Sequence, residues 1–136
     1  MKIGFFEIEP WEKKLFQEAF PHDTLLFSTG KLTAHNASKY KDLNVISTFV
    51  YSEITEQSCA KLTQLQFLVT RSTGYNHIDL AACKKHGISV SNIPVYGENT
   101  VAEYTFALIL ALSRKFVDSV ERTKSGSFDL DGLRGF

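Results

Sequence analysis

Short apolar runs alternate with stretches of helical periodicity along the first two thirds of the chain, the pattern of βαβ units around a parallel sheet. Lys2–Phe6 (KIGFF) reads as a first strand. A helix can begin at Pro10, with Trp11, Leu15, Phe16 and Ala19 recurring on one face, and Pro21 ends it. Thr24–Phe27 is a second strand. Asn44–Val50 is a third, apolar enough to be buried on both faces. Glu56–Leu62 predicts a short helix, Gln66–Thr70 a fourth strand and Asp79–His86 another helix, closed by a left-handed Gly87. Ile88–Asn92 is a fifth strand, ending before Pro94. Five strands with intervening helices predict an α/β fold, an open five-stranded parallel sheet of the flavodoxin-like, doubly wound type. Its expected order is 2-1-3-4-5, with right-handed crossovers.

One long C-terminal helix is expected from about Thr100 to Val120, opened by a capping box in which Thr100 and Glu103 satisfy early amides. Val101, Leu108 and Leu112 mark one face, while Ala102, Phe106, Ile109 and Leu110 continue around the cylinder. A helix apolar nearly all round needs cover on more than one side, which predicts a second domain or a second subunit against it; a central helix of a compact monomer is the alternative. Lys124–Phe136, with Gly126, Gly132 and Gly135, reads as a linker. The expected organisation is therefore a domain over 1–98, a helix over 99–121 and a linker over 122–136.

Composition narrows the function classes. The 136 residues are 43% apolar and 22% charged, a globular balance. Fifteen basic against fifteen acidic residues cancel, which removes the electrostatic footprint of a nucleic-acid binder. Cys59 and Cys83 form no CxxC pair and read as small buried hydrophobes in a reducing compartment, not as a disulfide framework or zinc knuckle. Glu7 and Glu9 interrupt the N-terminus before a signal peptide could develop. The most apolar run, Phe106–Leu112, falls far short of the roughly 20 residues that span a bilayer. A soluble, cytoplasmic protein without a membrane partner is the expectation.

Ligands of open α/β sheets gather beyond the carboxyl ends of the strands. There the segment Arg71–Asp79 (RSTGYNHID) forms a small-residue turn between strand and helix. Successive backbone amides in such a turn can cradle a carboxylate or phosphate; equally, the turn can be a plain connection with Gly74 in a left-handed conformation. Pro94–Asn99 offers the Tyr96 hydroxyl to an anion, or is simply a capping loop. His22, His35, His77 and His86 are scattered, with no second ligand at metal spacing and no sign of a general base. No G-x-G-x-x-G, Walker loop or G-x-S-x-G elbow occurs.

The run Arg71–Leu80 resembles the R-x-x-G-x-(D/N)-x-(I/V)-D turn of NAD-dependent D-2-hydroxyacid dehydrogenases, the D-lactate-dehydrogenase-like family. The likeness continues through Gly87–Pro94 and Asn99–Thr105, and Leu133–Gly135 is similar to the residues that lead into the family's nucleotide-binding domain. The resemblance implies the substrate-binding half of such an enzyme, with the glycine fingerprint and the catalytic Arg, Glu and His lying beyond Phe136. No catalytic residue and no metal ligand is then expected in this chain. The resemblance assigns the backbone amides of Thr73 and Gly74 to the substrate carboxylate and places Thr73 near the nicotinamide of NAD. Tyr96 matches a tyrosine that binds the carboxylate in some D-lactate dehydrogenases, and Tyr51 would rim the cleft. Asn76 and His77 depart from the Asp-Asn of many members.

The implied reaction is reversible hydride transfer between NAD(H) and a D-2-hydroxy acid/2-keto acid pair, with D-lactate/pyruvate favoured by Tyr96. A homodimer through helix 100–120 is expected, and the chain alone is expected neither to bind NAD tightly nor to reduce pyruvate. A naturally short, non-catalytic acid-binding or dimerisation module of the same fold is the alternative. A receiver domain lacks its acidic cluster, since the third strand ends Ser47–Val50 without an Asp, and Phe6–Pro10 is no phosphate loop for FMN.

Overall fold

A computed structural model describes residues 1–136. They divide into two compact units, Met1–Pro94 and Val95–Phe136. The first contains β1 (Lys2–Phe6), α1 (Glu12–Ala19), β2 (Thr24–Ser28), a 3-10 turn (Ala37–Tyr40), β3 (Val45–Thr48), α2 (Glu56–Lys61), β4 (Phe67–Thr70), α3 (Leu80–Lys85) and β5 (Ser89–Ser91). All four strand pairings are parallel, and the order is β2-β1-β3-β4-β5, the predicted topology.

Alternation along the strands sends side chains to two cores. Ile3 and Phe5 of β1 join Ile8 on one face, where Phe5 stacks on Phe16 of α1 at 4.1 Å and on Phe27 of β2 at 5.5 Å between ring centroids. Phe6, Ile46 and Leu68 point to the other face, into a larger cluster with Leu32, Leu43, Ile54, Leu62, Ile78 and Ile88. Gly4 is required by close approach: a Cβ there would lie 2.4 Å from the Leu43 side chain.

Several boundaries differ from the expected ones. The third strand stops at Thr48 instead of Val50, because the next amides leave the ladder for a side chain: Phe49 N donates to Glu7 at 3.0 Å. Helix α1 starts at Glu12, and of its expected buried face only Phe16 packs; Trp11, Leu15 and Ala19 are exposed. The α3 helix is capped by the Asp79 carboxylate, which accepts from Ala82 N at 2.9 Å. Gly87 takes φ +71° after it, as the cap requires.

In the second unit the expected single helix is two: α4 (Glu98–Ser113) and α5 (Phe116–Lys124). The break sits at Lys115, in the left-handed region at φ 50°. It frees the Ser113 carbonyl, which accepts from Phe136 N at 3.1 Å. Gly135 passes so close that a Cβ would lie 2.2 Å from that oxygen. The break is thus matched by a return of the chain more than twenty residues later. The Thr100 capping box does not form either: Gly97 is the N-cap and Thr100 lies inside the helix. After α5, Arg122 donates to the Asp129 carbonyl at 2.8 Å and folds the segment back. No residue of α4 is buried, and its apolar side chains are uncovered all round, with Phe106 65% and Leu112 72% exposed.

Candidate functional site

The carboxyl ends of β1, β3 and β4 are joined by a scaffold of charge-assisted hydrogen bonds built around two residues. Glu7 follows β1 with φ 57°, an uncommon conformation for a non-glycine residue. Its carboxylate accepts from the amides of Phe49 (3.0 Å), Tyr51 (2.6 Å) and Ser52 (3.1 Å), and from the Ser52 hydroxyl. The segment after β3 is therefore folded around one carboxylate. Burial would raise the pKa of Glu7, but these hydrogen bonds to the charged form together outweigh it and hold the group below its ordinary value.

Arg71 follows β4. Its guanidinium donates to the carbonyls of Phe6 (3.1 Å), Glu7 (3.0 Å) and Thr48 (3.3 Å) and to the Ser47 hydroxyl (3.1 Å), and its Nε lies 3.5 Å from Glu12. The side chain is only 15% exposed and also rests near the rings of Phe16 and Phe49. Burial lowers its pKa, with the carboxylates of Glu12 and Glu7 opposing that shift. Every donor direction of Arg71 is turned inward, so it stitches three strand ends together and is not an anion clamp. Neither role was foreseen from the sequence. The signal available there was the place of each charged residue immediately after a strand.

The turn beyond Arg71 is fixed from below. Ser72 is buried, lies 2.7 Å from the Thr70 hydroxyl and donates to the Gly74 carbonyl at 2.7 Å. Thr70 also donates to the Phe49 carbonyl and lies 3.3 Å from His77 Nε2, which gives His77 a structural place. Asn92, after β5, donates to the Thr73 carbonyl at 2.8 Å. Above this base Thr73 and Gly74 are exposed, and no backbone amide from Thr73 to His77 donates to a partner within the chain. Gly74 does not adopt a positive φ, and a Cβ there would meet nothing within 4 Å. The left-handed alternative for Gly74 is thereby excluded. Nothing inside the chain demands a glycine at this position, whereas close approach of a ligand to the backbone would.

Tyr51 stands 72% exposed three residues beyond β3, the strand that pairs with β4 through Thr48 and Thr70. It lines an open pocket of about 600 Å³ with Glu7, Ile8, Pro10, Lys31 and Phe49. Thr73, Gly74 and Tyr51 thus follow neighbouring strands of one unit, whereas Tyr96, 66% exposed, belongs to the second unit.

Residues 3–127 match the family model of the D-isomer specific 2-hydroxyacid dehydrogenase catalytic domain. The chain belongs to this family. Among relatives of the dehydrogenase family, an aromatic 2-oxoacid reductase of Clostridium sporogenes is 33% identical over 142 residues, covering 99% of this chain and 42% of the relative. The D-lactate dehydrogenase of Escherichia coli is 28% identical over 141 residues, covering the whole chain and 43% of that enzyme. Among solved structures, D-lactate dehydrogenase from Aquifex aeolicus, complexed with NAD and lactic acid, is 34% identical with a TM-score of 0.90 over 98% of this chain and 40% of that one. The chain accordingly spans about two-fifths of the length of the dehydrogenases it matches.

Proposed function

We propose that the chain is the substrate-carboxylate half of an NAD-dependent D-2-hydroxyacid dehydrogenase acting on a D-2-hydroxy acid/2-keto acid pair, with D-lactate/pyruvate the first pair to test. The observation that carries this reading is the turn after β4, in which the exposed amides of Thr73 and Gly74 have no acceptor in the chain. Two adjacent N–H donors suit the two oxygens of a carboxylate, and charge-assisted bonds of this kind are about twice as strong as neutral ones.

In this role Thr73 and Gly74 bind the carboxylate and orient the keto carbon. Tyr51 closes the rim of the site; Tyr96, in the second unit, is a separate carboxylate-binding candidate that rests on the resemblance. For NAD the fit is partial. Thr73 presents an exposed amide suited to the nicotinamide end, but the chain has no glycine-rich strand–turn–helix to cradle a pyrophosphate. When bound, NADH supplies the hydride to the keto carbon. The proton donor and the arginine that polarises the carbonyl come, on this reading, from sequence outside these residues. The uncovered α4 supports a homodimer in which a second copy packs on it.

The deciding experiment is an assay of the protein encoded by the complete reading frame, with NADH and either pyruvate or an aromatic 2-oxo acid. The reading expects the frame to continue past Phe136 into a glycine-rich nucleotide-binding unit, and expects NADH oxidation yielding the D-hydroxy acid. A folded protein that oxidises NADH with neither acid would overturn it, as would robust turnover by the 136-residue chain alone.

A further inference from the structure

Two thiols meet between α2 and α3. Cys59 of α2 and Cys83 of α3 are both free, and their sulfurs lie 3.9 Å apart in the larger core. The two helices are also joined at their surface, where the Glu56 carboxylate lies 2.7 Å from Lys85 Nζ and 2.9 Å from His86 Nε2. The segments leading into them pair directly, through the Ile54–Ile78 bridge. Cys59 and Cys83 are thus held facing one another by contacts on both sides of the thiol pair.

We propose that Cys59 and Cys83 are a redox pair, closed to an intramolecular disulfide by hydrogen peroxide and reopened by dithiol reductants. The balance is one peroxide for two thiols. Cys83 attacks one peroxide oxygen, the O–O bond breaks, and a sulfenic acid and one water result. Cys59 then attacks the Cys83 sulfur, the S–S bond forms, and the oxygen leaves as a second water with both thiol protons accounted for.

The order of attack follows the environment. The contact with Cys83, together with burial, pushes the Cys59 thiol up, which leaves Cys83 as the first nucleophile to test. The sulfurs are almost fully buried, so peroxide reaches them through local opening of α3. A helix of six residues depends on its tertiary contacts. Closing the gap to a disulfide length of about 2.0 Å draws α2 and α3 together. Helix α3 begins one residue after Asp79, the last residue of the turn that carries Thr73 and Gly74. Oxidation therefore reaches that turn through continuous backbone.

The test is peroxide treatment of the folded, reduced chain, followed by thiol titration, non-reducing peptide mapping by mass spectrometry and amide hydrogen exchange. The expected result is loss of both titratable thiols and a cross-linked Cys59–Cys83 peptide lighter by two hydrogens. Recovery on reduction and slowed exchange in α3 and the Arg71–Asp79 turn complete it. Cys59→Ala and Cys83→Ala should each abolish the cross-link, and native circular dichroism of either one is sufficient to interpret it. Thiols that stay reduced, sulfinic acid at a single cysteine, or only intermolecular cross-links would overturn the proposal. The peptide map reads the bond without reference to dehydrogenase activity, so its outcome is independent of the functional reading.

Discussion

Glu7 adopts φ 57° while its carboxylate gathers three amides and one hydroxyl from the segment after β3. Glu7→Gln keeps the size but removes the charge that strengthens those bonds, and should lower stability by about 2 kcal/mol, read as a drop in urea midpoint. Because the folded pKa lies below the unfolded one, the contribution of Glu7 is present above the ordinary value of 4.5 and is lost as pH falls through the folded pKa. The variant should therefore lose part of the wild-type acid-unfolding limb; an unchanged limb would contradict this.

Thr48 makes the opposite case. Its hydroxyl is fully buried and has no hydrogen-bond partner. Thr48→Val, nearly isosteric, should raise stability by roughly 1 kcal/mol, and a lower denaturation midpoint would show that the hydroxyl is satisfied. At Gly74 a methyl group enters open space at an ordinary φ, so Gly74→Ala should leave stability unchanged or slightly raised. The same substitution should weaken 2-oxo acid binding if the backbone there is approached by ligand. None of these roles is visible in one sequence. Glu7 and Arg71 look like ordinary charged residues after strands until the fold brings Phe49, Tyr51 and Ser52 around the one and Phe6, Ser47 and Thr48 around the other.

At the scale of elements, the strands were legible because a parallel sheet covered on both faces imposes apolar runs, and KIGFF, NVIST and QFLVT are such runs. Gly87 was legible for the same kind of local reason, as the left-handed residue that ends α3. The α4–α5 break was not. It depends on a left-handed Lys115 and on Gly135 and Phe136 docking on Ser113, a contact between distant positions with no local signature. Thr100 followed by Glu103 matched a capping pattern one turn too late, because the helix starts at Glu98. A lysine in the left-handed region costs on the order of 1 kcal/mol, which glycine escapes. Lys115→Gly should slow hydrogen exchange at the start of α5; faster exchange would mean that the lysine side chain, not the backbone turn, holds the break.

For the whole molecule, the exposed apolar surface of α4 is the largest unresolved demand. Phe106, Leu110 and Leu112 are all more than half exposed, and contiguous apolar surface of that kind marks an interaction face. On the homodimer reading, sedimentation should report a dimer, and Phe106→Glu with Leu112→Glu should convert it to a folded monomer. A wild-type monomer at high concentration would remove the dimer. The resemblance to the dehydrogenase family was legible from Arg71–Leu80 and Asn99–Thr105, short patterns in the turn after β4 and at the helix start. Tyr96, in the second unit, depends on that likeness alone.

The most direct measurement is an NMR titration of the isotope-labelled chain with pyruvate and oxamate, carried to millimolar concentration and following the backbone amides. The account predicts saturable shifts that are largest at Thr73 and Gly74, diminished in Gly74→Ala, with no NADH consumed when the dinucleotide is added. Amides at Thr73 and Gly74 that stay in place while others move, or that stay in place throughout, would contradict it.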